Sequence, residues 1–271
     1  MAITDISLTA GMRNNLLQLQ YTSTALQQTQ ARLSSGKKVN SALDNPTNFF
    51  AAQAETQRAS DLGDRKDGMS EAVQTIQAAN NGITGITALI QSAKGLASSA
   101  AATNDTLSQA TYYSQYQQIQ TQITQMASDS GYRGTNLLTS GTLSIQFGQV
   151  TGTSTLTVNG VNASNTGLGV TSAGTWTTTG QAQSDSALMD TALSTLRTNA
   201  STLASNLSII TTRQDFTNNM INTLQTGSDN LTLADMNQES ANMLMLQTRQ
   251  SLGTTALSLS SQAAQSVLKL F

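Results

Sequence analysis

The sequence predicts a mostly α protein: an elongated antiparallel helical bundle or coiled coil with a small β-hairpin region. Three observations predict it. Apolar residues recur at a 3/4 spacing on both sides of a middle segment. That segment, roughly Leu138 to Gly180, switches to period two and is rich in Gly, Ser and Thr. Aromatic residues make up 4% of the chain and charged residues 10%, against roughly 25% charged in an average soluble protein. Such a composition packs helices closely but supplies few large side chains for a thick core.

The first helix is expected from about Asp5 to Leu33. Met12, Leu16, Leu19, Leu26 and Leu33 keep the spacing, with polar Ser23 and Gln30 between them on the seam. A helix with one thin seam needs a partner. Ala31 to Phe50 then forms a polar break with Gly36 and the only proline, Pro46, which disfavours the α region at Asn45. Taken alone, this stretch is either a joint between helical layers or an ordinary loop.

After it, Met69, Ala72, Ile76, Ala79, Ile83, Ile86, Ile90, Ala93, Ala97 and Ala100 form an unbroken series. Gly82, Gly85 and Gly95 each weaken this helix and are expected to mark close packing. A shorter series, Tyr112, Tyr116, Ile119, Ile123 and Met126, should fold back on it and stop near Gly131.

In the middle segment Leu143–Phe147 alternates, as does Leu156–Val161, and Asn159-Gly160 is read as a type I′ hairpin turn. Trp176 is either a packing anchor or an exposed contact. Gly167 and Gly169 lack the strand-turn-helix context of a phosphate loop. Helical spacing resumes at Met189, Leu193, Leu196, Ala200, Leu203, Leu207 and Ile210, lapses at Gln214 and Thr217, and returns at Ile221 and Leu224. Asp185 and Asp190 are read as helix N-terminal dipole partners rather than paired catalytic carboxylates.

Thr226–Asn230 is expected to be a second polar break. Beyond it, Met243, Leu246, Leu257, Ala264, Val267 and Phe271 share one seam, and Met245, Leu252, Ala256, Leu259, Ala263 and Leu270 a neighbouring one. Two adjacent seams exceed what one antiparallel partner covers. The pattern is nested, so the termini should pair with each other and the long inner helices with each other. The expected division is 1–44 plus 229–271 as a terminal coiled-coil domain, and 45–228 as a helical rod with its β excursion at about 139–180. The terminal pair should stay largely unfolded until subunits assemble.

Composition also excludes function classes. There is no histidine and no cysteine, which removes histidine-dependent triads, the HExxH zinc motif, disulfides and thiol nucleophiles. No enzyme activity, cofactor or metal is expected. Net charge is −2 with no basic block beyond Lys37-Lys38, so no nucleic-acid partner is expected. The apolar runs are only a few residues long, so no membrane span is expected; low charge argues against a secreted membrane-active coiled coil, and residues 1–5 suggest no cleavable signal peptide.

Three separated motifs carry a resemblance. Ala31–Asp44, ARLSSGKKVNSALD, resembles the RLSSGxxINSAxDD stretch of bacterial flagellins. Gly131–Leu138, GYRGTNLL, is similar to their GxxGTNLL segment. Ala234–Ser240 and Leu252–Leu259 resemble their C-terminal helix, closing as VLKLF. Asn45–Phe50 departs from the small-residue run of many members, and the short middle implies that the large outer domains are missing.

The resemblance implies a structural subunit that polymerises into the flagellar filament for swimming motility; a hook–filament junction protein is the alternative. It implies extracellular localisation, reached by flagellar type III export. The implied partners are copies of itself, hook-associated junction and cap proteins and a flagellin export chaperone. The stretch Gln91–Ala97 corresponds to the receptor contact of many flagellins; it keeps Lys94 and Leu96 but has no Glu, so innate-receptor binding is expected to be weak. The residues expected to pack between subunits are Met12, Leu16, Leu19, Leu26, Leu33, Leu246, Leu257, Val267, Leu268 and Phe271. Arg32, Lys37, Lys38 and Asp44 are the expected polar contacts at the hinge.

Overall fold

The computed structural model describes residues 10–149, 152–172 and 174–268, with side chains as far as 266. The described elements are α1 (Ala10–Ser35), α2 (Pro46–Ala101), α3 (Thr106–Asp129), β1 (Thr142–Gln146), β2 (Thr155–Asn159), α4 (Thr179–Thr232) and α5 (Met236–Leu268). The chain divides into two compact units, 1–57 with 223–271, and 58–222. Helices α2 and α4 contribute to both.

Unit 58–222 holds the main core. The expected α2 series is buried along its length, from Met69 and Ile76 to Ala97 and Ala100, and Met189, Leu196 and Ile210 of α4 are equally inaccessible. Two polar contacts fix the register of this pair. Gln214 Nε2 donates to Ser70 Oγ at 2.7 Å, and Lys94 Nζ meets Asp190 Oδ1 at 2.6 Å. Equal numbers of residues separate the two contacts on each helix, so the helices run antiparallel without a slip. The lapse in apolar spacing has its explanation here: Gln214 makes that hydrogen bond, and Thr217 is buried with its hydroxyl on the Arg213 carbonyl.

Helix α3 folds back on α2 as expected. Gly82 and Gly85 permit the approach: a Cβ at Gly82 would lie 2.6 Å from Leu138 Cδ1, and one at Gly85 would collide with the Met126 sulfur. Gly95 has nothing within 4 Å and plays no such part, which corrects the expectation for that residue.

The strands pair antiparallel, Leu143 opposite Val158 and Ile145 opposite Leu156, and Ile145, Phe147 and Val158 face the core. The expected type I′ turn at Asn159-Gly160 is not there. The strands are joined across residues 147–154, and Gly160 instead donates its N–H to the Gly141 carbonyl at 2.8 Å. A Cβ at Gly160 would lie 2.6 Å from the Leu137 carbonyl oxygen, so the residue is there for close backbone approach. The paired positive φ angles that such a turn requires occur at Arg133 (46°) and Gly134 (85°), between the mutually bonded Tyr132 and Thr135.

Trp176 is a packing anchor. It is 1% exposed, lies against Tyr113 and Tyr116, and donates Nε1–H to Asp185 Oδ2 at 2.7 Å. Asp185 and Asp190 therefore do not serve the helix terminus, since α4 begins at Thr179 with no acid in its first turn. Burial and the negative charge of Asp185 push the Tyr116 phenol well above its ordinary pKa, and its hydroxyl donates to the Val170 carbonyl.

In the other unit α1 and α5 pack against each other. The first break is real: α1 stops at Ser35, and Pro46 opens α2 behind Asn45, whose side chain accepts from Asn48 N–H at 3.1 Å. The second break is displaced. Thr226–Asn230 lies inside α4, and the interruption falls at 233–235. These polar residues serve as packing contacts. Ser228 is buried with its hydroxyl on the Ala52 carbonyl and within 3.1 Å of Thr56 Oγ1, and Gly227 leaves room for Glu55.

Candidate assembly surface

The joints of unit 1–57/223–271 are built by the residues that carry the sequence motifs. Gly36, at φ +70°, closes α1 by donating to the Arg32 carbonyl at 2.8 Å. Asp235 caps α5 by accepting from Asn237 and Gln238 N–H. The two joints are zipped together: Lys38 N–H donates to the Thr232 carbonyl at 2.7 Å and Ala234 N–H to the Gly36 carbonyl at 3.0 Å.

Arg32, in the last turn of α1, pairs at 3.2 Å with Glu239 in the first turn of α5. Each charge also complements its own helix dipole. Lys38 Nζ reaches the Asn230 carbonyl at 3.4 Å, and Lys37 forms a backbone bridge with Leu233. Asp44 accepts from Asn40 and Ser41 N–H, and these bonds hold its carboxyl below the ordinary range. All four hinge residues thus have partners in their own chain.

The apolar seam is distributed differently from the expected stripe. The residues of α1 that are buried are Met12, Thr22 and Thr29. Thr22 and Thr29 lie one residue before Ser23 and Gln30, so the alternate positions of the seam shift by one residue while Met12, Leu19, Leu26 and Leu33 stay on it. Leu19, Leu26, Leu33, Leu246 and Leu257 are half-buried, and Leu16 is exposed. Leu19 packs into α5 at Gly253, where a Cβ would come within 2.7 Å of its Cδ2. Helix α5 runs through Val267 and Leu268, whose side chains lie outside the described residues, as does Phe271.

Around this pair lies unsatisfied apolar surface. Leu17 and Tyr21 on α1, and Leu244, Met245, Leu252 and Leu259 on α5, are exposed. The second α5 seam announces three of them, whereas Leu17, Tyr21 and Leu244 fall off the 3/4 series. Adjacent apolar residues, Leu16-Leu17 and Leu244-Met245, were the available signal, because neighbours in a helix cannot share one narrow face. Among the described residues no group of three or more metal-ligating side chains occurs, and no helix is long and apolar enough to cross a membrane.

This arrangement, two paired terminal helices with apolar faces left open, agrees with comparison to known proteins. The family model for the bacterial flagellin N-terminal helical region matches residues 6–142, and that for the C-terminal helical region matches 186–271. The chain belongs to the bacterial flagellin family. It is 31% identical over 272 residues to flagellins FljM and FljK of Caulobacter vibrioides, with full coverage of both chains in each case. It is 27% identical over 278 residues to a flagellin of Brucella melitensis, covering 93% of this chain and 94% of that one. A crystal structure of Bacillus cereus flagellin aligns with 55% of this chain and 88% of its own, at a TM-score of 0.48 and 18% identity.

The chain is a structural subunit of the flagellar filament, an extracellular polymer of flagellin. The family motifs acquire physical roles. In Gly131–Leu138, Asn136 Nδ2 donates to the Ala127 and Ser128 carbonyls at 2.8 Å, ending α3, and its Oδ1 accepts from Leu138 N–H. That turn drives Leu137 and Leu138 into the core. The flagellin segments thus cap and join helices.

Proposed function

We propose that subunits polymerise through the apolar faces that α1 and α5 leave open, with Leu16, Leu19, Leu26, Leu33, Leu246, Leu257, Val267, Leu268 and Phe271 packing between copies and Met12, buried within its own chain, supporting that face from behind. The observation that carries this reading is the exposure of Leu17, Tyr21, Leu244, Leu252 and Leu259 around an already formed helix pair. Large apolar side chains repeated along one helix pair gain about 1.5–3 kcal/mol each when fully buried. Arg32, Lys37, Lys38 and Asp44 reach neighbouring subunits in this reading by exchanging or sharing their in-chain partners. On that view residues 1–44 and 229–271 form the inner tube and 45–228 the outer layer.

Export before assembly follows the flagellar type III route, with a chaperone covering the terminal helices, and the filament ends meet junction and cap proteins. Binding to the innate flagellin receptor is weak: Lys94 is paired with Asp190 and Leu96 is partly buried against the core, so this stretch offers little free chemistry. A reporter assay giving stimulation equal to that of an Arg/Glu-bearing flagellin would overturn this.

The deciding experiment is deletion of Val267–Phe271 in the full chain. Polymerisation, followed by sedimentation and electron microscopy, should be lost, while the circular dichroism of the inner helices is kept. Normal filaments from the truncated chain would sink the reading.

A further inference from the structure

The hairpin of unit 58–222 has an edge that its own chain leaves free. Phe147 N–H donates to the Ser154 carbonyl and Gly160 N–H to the Gly141 carbonyl, each at 2.8 Å. Between these bonds Leu143 lies opposite Val158 and Ile145 opposite Leu156. Bonded and non-bonded pairs alternate along an antiparallel ladder. Leu143 and Ile145 therefore turn their main-chain groups toward β2, while Thr142, Ser144 and Gln146 turn theirs away. Among the described residues these outward groups bond no other backbone group.

The free edge borders a groove along α2. One part, about 410 Å³, lies between Gly68, Glu71 and Thr75 of α2 and Leu143–Ile145 of β1. The other, about 280 Å³, lies between Asp64, Arg65 and Gly68 and Ser144–Gln146. The two parts share Gly68, Ser144 and Ile145, and no β2 residue lines either. From Asp64 to Thr75 the groove follows α2 for about 16 Å of helix rise. The five residues of β1 run a matching length at about 3.3 Å each.

Two groove residues point to an occupant. Gly68 weakens the helix interior, yet a Cβ there would meet nothing within 4 Å, so no close approach within the chain requires glycine. Its effect is to keep the groove open where the two parts join. Arg65 has its Nε buried without a hydrogen-bond partner, an arrangement that an incoming acceptor would relieve. Glu71 is already paired with Arg133. The chain's own strands, TLSIQ and TLTVN, carry no acid to offer Arg65, so a second copy's hairpin does not match this chemistry.

We propose that the groove takes an extended acidic peptide of a partner protein as a third strand, antiparallel to β1. Main-chain bonds to Ser144 and Gln146 hold the peptide, one of its side chains fills the space over Gly68, and a carboxylate accepts from Arg65. The site is independent of the α1–α5 faces.

The probe is the peptide acetyl-Asp-Thr-Val-Thr-Val-amide, which in antiparallel register sets its acid at Arg65 and its first valine over Gly68. Added in excess to the full-length monomer, it should slow hydrogen exchange at the Ser144 and Gln146 amides about tenfold. The Leu143 and Ile145 amides, already bonded to β2, should not change. Replacing the peptide's Asp by Asn should weaken binding about tenfold. Gly68→Gln puts a good helix former at an open position, so the melting temperature should not fall, but binding should be lost. No binding, binding without protection of Ser144 and Gln146, or undiminished binding to a folded Gly68→Gln variant would each overturn the proposal. Protection of these two amides that rises with protein concentration in the absence of peptide would assign the edge to a second copy and overturn it as well.

Discussion

The two units solve the same problem, burial of apolar helix faces, to different degrees. In 58–222 the apolar series of α2 meets α3, α4 and the hairpin, and its large side chains from Met69 to Ile90 are essentially inaccessible. In 1–57/223–271 the buried positions of α1 are one methionine and two threonines, while leucines and a tyrosine face outward. The first unit is satisfied within one chain. The second leaves large apolar side chains open around one helix pair, and in the proposed reading neighbouring subunits cover them. A filament subunit needs both: a part that keeps its form and a part whose completion drives assembly.

The sharpest way to break this comparison is to make one kind of substitution in both units. Ile86→Ala in the first should cost about 3 kcal/mol through lost burial and a residual cavity. Leu244→Ala in the second, at a side chain 68% exposed, should change monomer stability by less than about 0.5 kcal/mol yet reduce polymerisation. Urea unfolding of monomers beside sedimentation of assembled protein checks both. Equal destabilisation by the two would remove the distinction.

The next effect concerns the polar anchor of the satisfied unit. Asp185 is 1% exposed and accepts from Trp176 Nε1–H and from the Ser172 hydroxyl, each at 2.7 Å. Asp185→Ala strands the buried indole N–H and should cost about 2 kcal/mol. Trp176 emission should shift to the red, since the ring is no longer pinned against Tyr113 and Tyr116. An unshifted spectrum would show that ring packing alone holds the indole.

A smaller test uses glycines. Gly82→Ala sets a Cβ against Ser130 and Leu138 and should cost about 2 kcal/mol by overpacking. Gly95→Ala meets nothing within 4 Å and should stabilise by up to about 1 kcal/mol through helix propensity. Gly253→Ala, against the flexible end of Leu19, should fall between them. Thermal melts of the three variants that failed to rank in this order would contradict the packing described.

The legibility of these features follows from the range of the forces behind them. The α2 series could be read because burial on one side of a long helix leaves a one-dimensional record every three or four residues. The nested pairing was legible for the same reason. The position of the second break was not, because Ser228 and Gly227 look like turn formers locally, and only their contacts with Ala52, Thr56 and Glu55 on another helix make them helical. The hairpin turn failed in the same way, since Gly160 answers to Gly141 and Leu137 rather than to its own neighbours. On the assembly surface the two-seam pattern of α5 was visible. Which leucines a single copy leaves open depends on the alternate seam positions, where Thr22 and Thr29 rather than Ser23 and Gln30 are buried beside Leu19, Leu26 and Leu33.

The smallest effect sharpens the comparison through pH. Among the described residues a carboxylate in each unit is held below its ordinary pKa of 3.8 by hydrogen bonds: Asp44 by the N–H groups of Asn40 and Ser41, and Asp105 first by the Ser108 hydroxyl and then by the N–H groups of Ser108 and Leu107. Because the folded pKa lies below the unfolded one, the unfolded chain binds more protons in that interval, and stability there rises with pH. Both contributions are fully present above about 3.8 and are lost as pH falls through the depressed folded values. Asp105→Asn keeps a helix cap but cannot titrate, so it should flatten the acid dependence of unfolding followed by Trp176, which lies in 58–222. Hydrogen exchange at the Asn40 and Ser41 amides, which reports Asp44 in the other unit, should keep its acid dependence in that variant. If both signals flattened together, the two units would be unfolding as one, and the separation between a self-sufficient unit and an unfinished one would have to be given up.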